Sequence, residues 1–170
     1  MANKSKILYD GRVFSGLDIK GGKMHIATSL LSSSLEANTF SPVIKSDDRT
    51  LVEFKRNTPM IYFYNDRQKG VFYVQDVQRT GPDLYQFSAT SAIGLLSDGQ
   101  HYGGIYTGQT VSELLPGLCG TVPYAVKSNL EGIKLYGWLP VSSPRDNLAQ
   151  VLFAIGATVK NDLDGVLRIE

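Results

Sequence analysis

Residues 89–138 constrain the fold of this chain more than any other stretch, because glycines and bulky rings are interleaved there. The segment contains Ala89-Thr90-Ser91-Ala92-Ile93-Gly94-Leu95-Leu96, then Gly103-Gly104-Ile105-Tyr106-Thr107-Gly108-Gln109-Thr110-Val111, and later Leu135-Tyr136-Gly137-Trp138-Leu139-Pro140. The backbone must turn tightly beside Tyr102, Ile105 and Tyr106, whose side chains need burial. That pattern suits a shaped junction between folded units better than a solvated linker. Gly103, Gly104, Tyr106 and Gly108 are the expected interdomain junction.

Before this stretch the chain reads as strands and turns. Leu17-Asp18-Ile19-Lys20 and Lys23-Met24-His25-Ile26 flank Gly21-Gly22, which predicts a tight two-residue hairpin. Over 50–56, Val52 and Phe54 alternate with Glu53 and Lys55, the pattern of a half-buried strand. Met60-Ile61-Tyr62-Phe63-Tyr64 and Val71-Phe72-Tyr73-Val74 carry apolar residues on both faces, so they are covered twice or face a partner chain. A polar loop over 65–70 joins them, and Thr80-Gly81-Pro82-Asp83 turns into a strand over 84–89. These elements predict a small antiparallel barrel or sandwich over residues 1–89.

After Ala89 the pattern becomes α+β, over residues 90–170. A short helix is expected over 89–96, and Thr110-Val111-Ser112-Glu113 is a capping box that opens another, limited by Pro116-Gly117. Strands are expected over 122–126 and 133–138. Ser143 is the N-cap of the best helix, with Pro144 at its first position and Leu148, Val151, Leu152 and Ile155 forming one apolar stripe up to Gly156. A final hairpin pairs 158–160 with 166–169 around Asp162-Leu163-Asp164-Gly165. The chain stops at Glu170 inside a strand pattern, as a fragment of a longer protein would. The overall class is α+β, mostly β.

Composition excludes several functions. The 17 basic and 16 acidic residues leave a net charge of +1, with no long run of like charge, so nucleic acid is not the expected main ligand. The single Cys119 rules out an intrachain disulfide and a multi-thiolate zinc site. No apolar run approaches the ~20 residues that span a bilayer, so membrane insertion is not expected and the product reads as soluble and made in the cytoplasm. Asn3-Lys4-Ser5 matches a glycosylation pattern that has no meaning without a secretion signal.

A search for catalytic constellations finds none. His25 and His101 are the only histidines and fall in different units. His101 lies near Ser97 and Asp98, but no nucleophile elbow surrounds Ser97, and a loop histidine bonding its own turn is the alternative. Asp162, Asp164 and Gly165 imitate part of a calcium loop whose first position would be Lys160 and whose twelfth lies past the end, so an ordinary turn is expected. Gly21-Gly22-Lys23 lacks the other positions of a phosphate loop. Tyr62, Tyr64, Phe72, Tyr73, Tyr102, Tyr106, Tyr136 and Trp138 could form a sugar-stacking surface, although core packing explains most of them. No catalytic residue, metal or cofactor is expected.

With these residues laid out, the chain resembles the baseplate hub, or tail-associated, proteins of phages and prophage-derived contractile particles, and is similar to type VI secretion spike proteins. The resemblance rests on 58–64, 70–77, 89–96 and 103–111, extended by Gly137-Trp138-Leu139-Pro140 and Arg145-Asp146-Asn147-Leu148. It implies a tube-like β-barrel followed by an inserted α+β domain, with a second barrel that this chain lacks. It further implies a homotrimer in the full-length protein, tail tube and spike or tip proteins as partners, and a channel passing the tape-measure protein and DNA without specific binding. The implied location is a virion or phage-tail-like particle assembled in the bacterial cytoplasm. Met60, Tyr62, Tyr64, Val71, Phe72 and Tyr73 are the expected subunit interface. A host-surface glycan-binding module of a tail tip, or a tail-associated cell-wall lysin, is the alternative function.

Overall fold

The computed structural model describes residues 4–27, 34–161 and 163–170. Asn3 and Asp162, named above in the glycosylation pattern and the final turn, lie outside the described residues. The chain divides into two compact units. The first comprises Met1–Ile26, Asn38–Ser91 and Leu163–Gly165, and the second Ala27–Ala37, Ala92–Asp162 and Val166–Glu170. The division is therefore not a single cut after Ala89.

The first unit is built on one seven-stranded antiparallel sheet. Its strands are β1 (Ser5–Tyr9), β2 (Arg12–Ser15), β3 (Ile19–His25), β4 (Thr39–Lys45), β5 (Pro59–Tyr64), β6 (Arg67–Gly81) and β7 (Leu84–Thr90). They lie in the order β2-β1-β5-β6-β7-β4-β3. Tight turns set this register. Asp10 and Gly11 take positive φ between β1 and β2, and Asn65 and Asp66 do so between β5 and β6. The expected polar loop over 65–70 is thus a two-residue turn, and β6 already begins at Arg67.

One face of the sheet forms the core. Ile7 and Tyr9 of β1, Phe40 and Ile44 of β4, Met60 of β5, Phe72, Val74 and Val77 of β6, and Tyr85, Phe87 and Ala89 of β7 are all buried there. Inward residues of β6 change parity between Val74 and Val77 because the register shifts between Val74 and Asp76. Side-chain contacts show that the sheet curls. Phe40 meets Tyr62 with ring centroids 4.8 Å apart, and Tyr9 meets Phe87 at 5.3 Å. Each pair comes from strands three places apart in the sheet, a separation of roughly 14 Å if the sheet were flat.

The expected barrel is corrected in one respect: among the described residues β2 and β3 are the two sheet edges and share no ladder, so the barrel is not closed by hydrogen bonds. These edges are instead joined through the chain, by a 3-10 turn at Gly16–Asp18.

Two further expectations fail. Gly21-Gly22 is not a hairpin turn, because β3 runs straight through it and pairs with β4. A Cβ on Gly22 would lie 2.9 Å from Pro42 Cα, so the glycine serves close backbone approach between two strands. Residues 50–56 are not a strand either. Arg49–Val52 form a 3-10 turn capped by Asp48, whose Oδ1 accepts the Thr50 amide at 2.9 Å and its hydroxyl at 2.6 Å, while Oδ2 accepts Arg12 Nε at 2.8 Å. The bonds from Thr50 and Arg12 hold the Asp48 carboxyl below its ordinary range. Local side-chain bonding here outweighs the weak alternation of Val52 and Phe54.

The second unit is α+β. It contains α1 (Ala92–Leu95), β8 (Gly104–Thr110), α2 (Val111–Cys119), β9 (Tyr124–Val126), α3 (Ser128–Glu131), β10 (Lys134–Leu139), α4 (Pro144–Ile155), β11 (Val159–Asn161) and β12 (Leu167–Ile169). β8 and β10 form a two-stranded antiparallel ribbon; β11-β12-β9 form a three-stranded sheet in which β12 and β9 are parallel. The caps fall where the sequence predicts them. Glu113 Oε2 accepts the Thr110 amide at 2.7 Å, Ser143 Oγ accepts the Asp146 amide at 3.1 Å, and Gly156 ends α4 at φ 65°. Leu148, Val151 and Leu152 of the predicted stripe are buried, together with Leu115 and Leu118 of α2 and Leu167 and Ile169 of β12. Lys160 and Glu170 form an ion pair.

The placement of β5 is tested by contrasting two neighbours. Met60→Ala is expected to cost about 2–5 kcal/mol in urea unfolding, as the loss of a fully buried side chain does. Tyr64→Ala, at the exposed end of the same strand, is expected to stay within about 0.5 kcal/mol of the parent.

Candidate interaction surface

The expected interface strands contribute less surface than their composition suggests. Met60 and Phe72, named with the expected subunit interface, are buried in the core of their own sheet. Tyr62 is half-buried and packs on Phe40, and its hydroxyl lies 3.3 Å from Ser5 Oγ. Val71 and Tyr73 are half-buried, and burial raises the Tyr73 phenol above its ordinary pKa. Only Tyr64 of the six is exposed. The curl covers the concave face of the sheet, and on the other face of β6 Gly165 lies close to Val71 and Tyr73.

A group of exposed apolar side chains lies instead on the β8–β10 ribbon. In its register Ile105 stands opposite Trp138 and Thr107 opposite Tyr136, so strand alternation places these four side chains on one face. Ile105 is 80% exposed, Tyr136 73% and Trp138 70%. Lone exposed apolar residues are ordinary, but three on one small ribbon form a patch. On the helix side, Leu139 is buried and Leu135 and Tyr106 are half-buried. A cavity of about 200 Å³ lies between ribbon and helices, lined by Leu114 of α2, by Gln150, Val151 and Ala154 of α4, and bordered by Tyr136 and Trp138.

The glycines of this region build the ribbon. Gly103 has φ 69°, and a Cβ on it would lie 2.2 Å from the Leu139 carbonyl oxygen. Gly108 has φ 122°, and the Tyr136 ring covers the place its Cβ would take, with Oη at 3.2 Å. Gly103, Gly104, Tyr106 and Gly108 thus lie inside the second unit, in and just before β8. The tight turning read from the sequence is real, and its purpose is close strand approach within one unit.

The ribbon is tied to α4 by a polar cluster at His101. His101 and Ser142 exchange backbone bonds of 2.8 and 3.1 Å. Asn147, fully buried on α4, donates through Nδ2 to the Pro140 carbonyl at 2.9 Å and lies 2.8 Å from His101 Nδ1. Because Pro140 can only accept, that amide nitrogen is fixed as the donor. The Gly103 amide also donates to His101 Nδ1, at 3.2 Å. Both partners demand a bare Nδ1, so the ring carries its proton on Nε2. Ser97 Oγ accepts from Arg145 at 3.1 Å. Asn147 was not singled out by the sequence, since a polar residue beside an apolar stripe looks solvent-facing.

Among the described residues no group of three or more His, Cys, Asp or Glu side chains could hold a metal ion, and no helix is long and apolar enough to cross a membrane. Cys119 is buried, and desolvation pushes its thiol up to about 12.

No family model and no curated protein matches this sequence. Solved structures do match it. A tail protein from Neisseria meningitidis MC58 superposes with a TM-score of 0.67 at 14% identity, covering 99% of this chain and 50% of that one. The 43 kDa tail protein of prophage MuSo2 from Shewanella oneidensis gives 0.61 at 15%, covering 99% and 55%. The fold is that of prophage tail proteins. A type VI secretion component of E. coli, itself structurally similar to T4 bacteriophage tail proteins gp27 and gp5, matches at 0.52 and 14%, covering 79% of this chain and 42% of that one. At these identities the likeness is one of fold, and the chain spans about half the length of the tail proteins it matches.

Three outcomes test this geometry. In nitrogen-15 spectra at mildly basic pH, His101 is expected to show a bare Nδ1 and a protonated Nε2, and Asn147→Leu is expected to lose about 1–3 kcal/mol by stranding the Pro140 carbonyl and leaving His101 Nδ1 with the Gly103 amide alone. Cys119 is expected to react with a thiol reagent at pH 8 only after unfolding. Its folded pKa lies above its unfolded one, so its contribution to stability is complete below about 9 and is lost as pH rises toward about 12.

Proposed function

We propose that this chain is a structural component of a phage or prophage-derived tail, with no reaction of its own. It forms part of the baseplate hub that joins the tail tube to the spike or tip and lines the central channel. The observation that carries this reading is the superposition of 99% of the chain on two tail proteins. The likeness to a type VI secretion component is consistent with it. The open, curled sheet of the first unit supports the hub in particular, since a tube-like subunit presents sheet edges, here β2 and β3, to its neighbours. On this reading the full-length protein is a homotrimer. Its partners are tail tube and spike or tip proteins, and the tape-measure protein and DNA pass through without specific binding. Tyr64, Val71 and Tyr73 remain available for subunit contact.

Immunogold electron microscopy of tail particles from an induced lysate, with antibody against this chain, tests the reading. Label confined to the distal end of the tail is the expected result. Label along the tube, or on no particle, would sink it.

A further inference from the structure

We propose that the exposed face of the β8–β10 ribbon is a carbohydrate-binding platform, on which Tyr136 and Trp138 stack against the apolar C–H face of neutral, β-linked pyranose units. This goes beyond the hub reading and does not depend on it. In the sequence, core packing is the commoner explanation for such rings. The structure removes that explanation for these two, since Tyr136 is 73% exposed and Trp138 70%.

Tyr136 and Trp138 are two residues apart on β10 and so share one face of the ribbon. Their Cα atoms are about 7 Å apart at the rise of an extended strand, which sets the two rings side by side under neighbouring sugar units.

Tyr136 is also held in place. The ladder passes from Gln109 opposite Leu135 to Thr107 opposite Tyr136 and skips Gly108, so Thr107 and Gly108 both stand against Tyr136. Gly108 has no Cβ, and the hydroxyl end of the Tyr136 ring takes that ground, with Oη 3.2 Å and Cε1 3.5 Å from where a Cβ would lie. Part of the ring rests on backbone while the remainder faces water. Little side-chain freedom is then left to lose when a ligand stacks on it.

Three properties of the face select a neutral saccharide. The first is charge. Ile105, Thr107, Tyr136 and Trp138 are uncharged, and the one charge on β10 is Lys134 at its first residue. Nothing on the face neutralises a phosphate, which disfavours nucleic acid and other anions. The second is area. Side chains of this size carry about 150–250 Å² each, so at these exposures Ile105, Tyr136 and Trp138 offer roughly 400 Å², half of the ~800 Å² per partner that a standard protein interface needs. The patch is sized for a small ligand. The third is shape. A pocket for a drug-sized, mainly apolar molecule encloses about 70–90% of its surface, and this face is open. An open aromatic face suits a ligand that is apolar on one side and hydrated on the other. A pyranose with equatorial hydroxyls is built that way: its C–H bonds meet the electron-rich faces of the rings, and its hydroxyls stay in water beside the exposed Thr107.

Trp138 is the only tryptophan, so its emission reports directly on this face. The purified chain is titrated with N-acetylchitotetraose, a neutral β-linked tetrasaccharide, and followed by Trp138 fluorescence and by calorimetry. The expected result is saturable binding in the millimolar range, with emission moving to shorter wavelength. Tyr136→Ala and Trp138→Ala change exposed residues, so each is expected to fold and, by calorimetry, to weaken binding at least about tenfold. Tyr136→Phe, which keeps the ring, is expected to stay within about threefold of the parent. Phe153→Ala, equally exposed but on α4, is expected to leave binding unchanged. No binding at millimolar saccharide would overturn the proposal. So would binding unaffected by loss of either ring, or an emission shift produced only by neutral phosphatidylcholine vesicles or by raising the protein concentration without saccharide.

Discussion

Aromatic contacts across the sheet are the constraint on which the first unit depends. Phe40 reaches Tyr62 and Phe72, and Tyr9 reaches Phe87, although these rings belong to strands two or three places apart. Such contacts close only if the sheet curls. Once it does, one concave face becomes the core, while the other face of β6 is met at Val71 and Tyr73 by Gly165. The 3-10 turn between β2 and β3 completes the bend by joining the two edges through the chain. Burial of Tyr85, Phe87, Met60 and Phe72 at 2% exposure or less supplies the apolar driving force, of order 25 cal/mol per Å².

Local chemistry was the legible part of the sequence. Capping at Thr110 and Ser143, the stop at Gly156 and the stripe Leu148, Val151 and Leu152 depend on residues within one or two turns of each other, so spacing alone reveals them. Features set by distant strands were misread. Gly21-Gly22 has the composition of a turn, but its role is set by Pro42 across the ladder. Val52 and Phe54 alternate like a strand, but Asp48 and Thr50 bend the backbone first. Met60 and Phe72 looked available because a linear pattern carries no sign of the curl.

The ribbon reverses that error. Tyr136 and Trp138 read as core-forming rings, yet they stand in water because Gly103 and Gly108 draw β8 against β10 and leave one face uncovered. The glycines were correctly marked as sites of tight backbone geometry. Their assignment to an interdomain junction followed from sequence proximity to the change of pattern at Ala89, whereas the actual partners, Leu139 and Tyr136, lie some thirty residues further on. The His101–Asn147 cluster fixes the same ribbon to α4 by bonds that no local pattern announces.

On the proposed reading, the two open edges of the curled sheet are where this chain meets other polypeptides. The most direct test is a cryo-electron microscopy reconstruction of the intact tail end. Density at the junction of tube and tip that accommodates the seven-stranded sheet, with its strand order β2-β1-β5-β6-β7-β4-β3, is the expected result. A junction built wholly from other chains would contradict it.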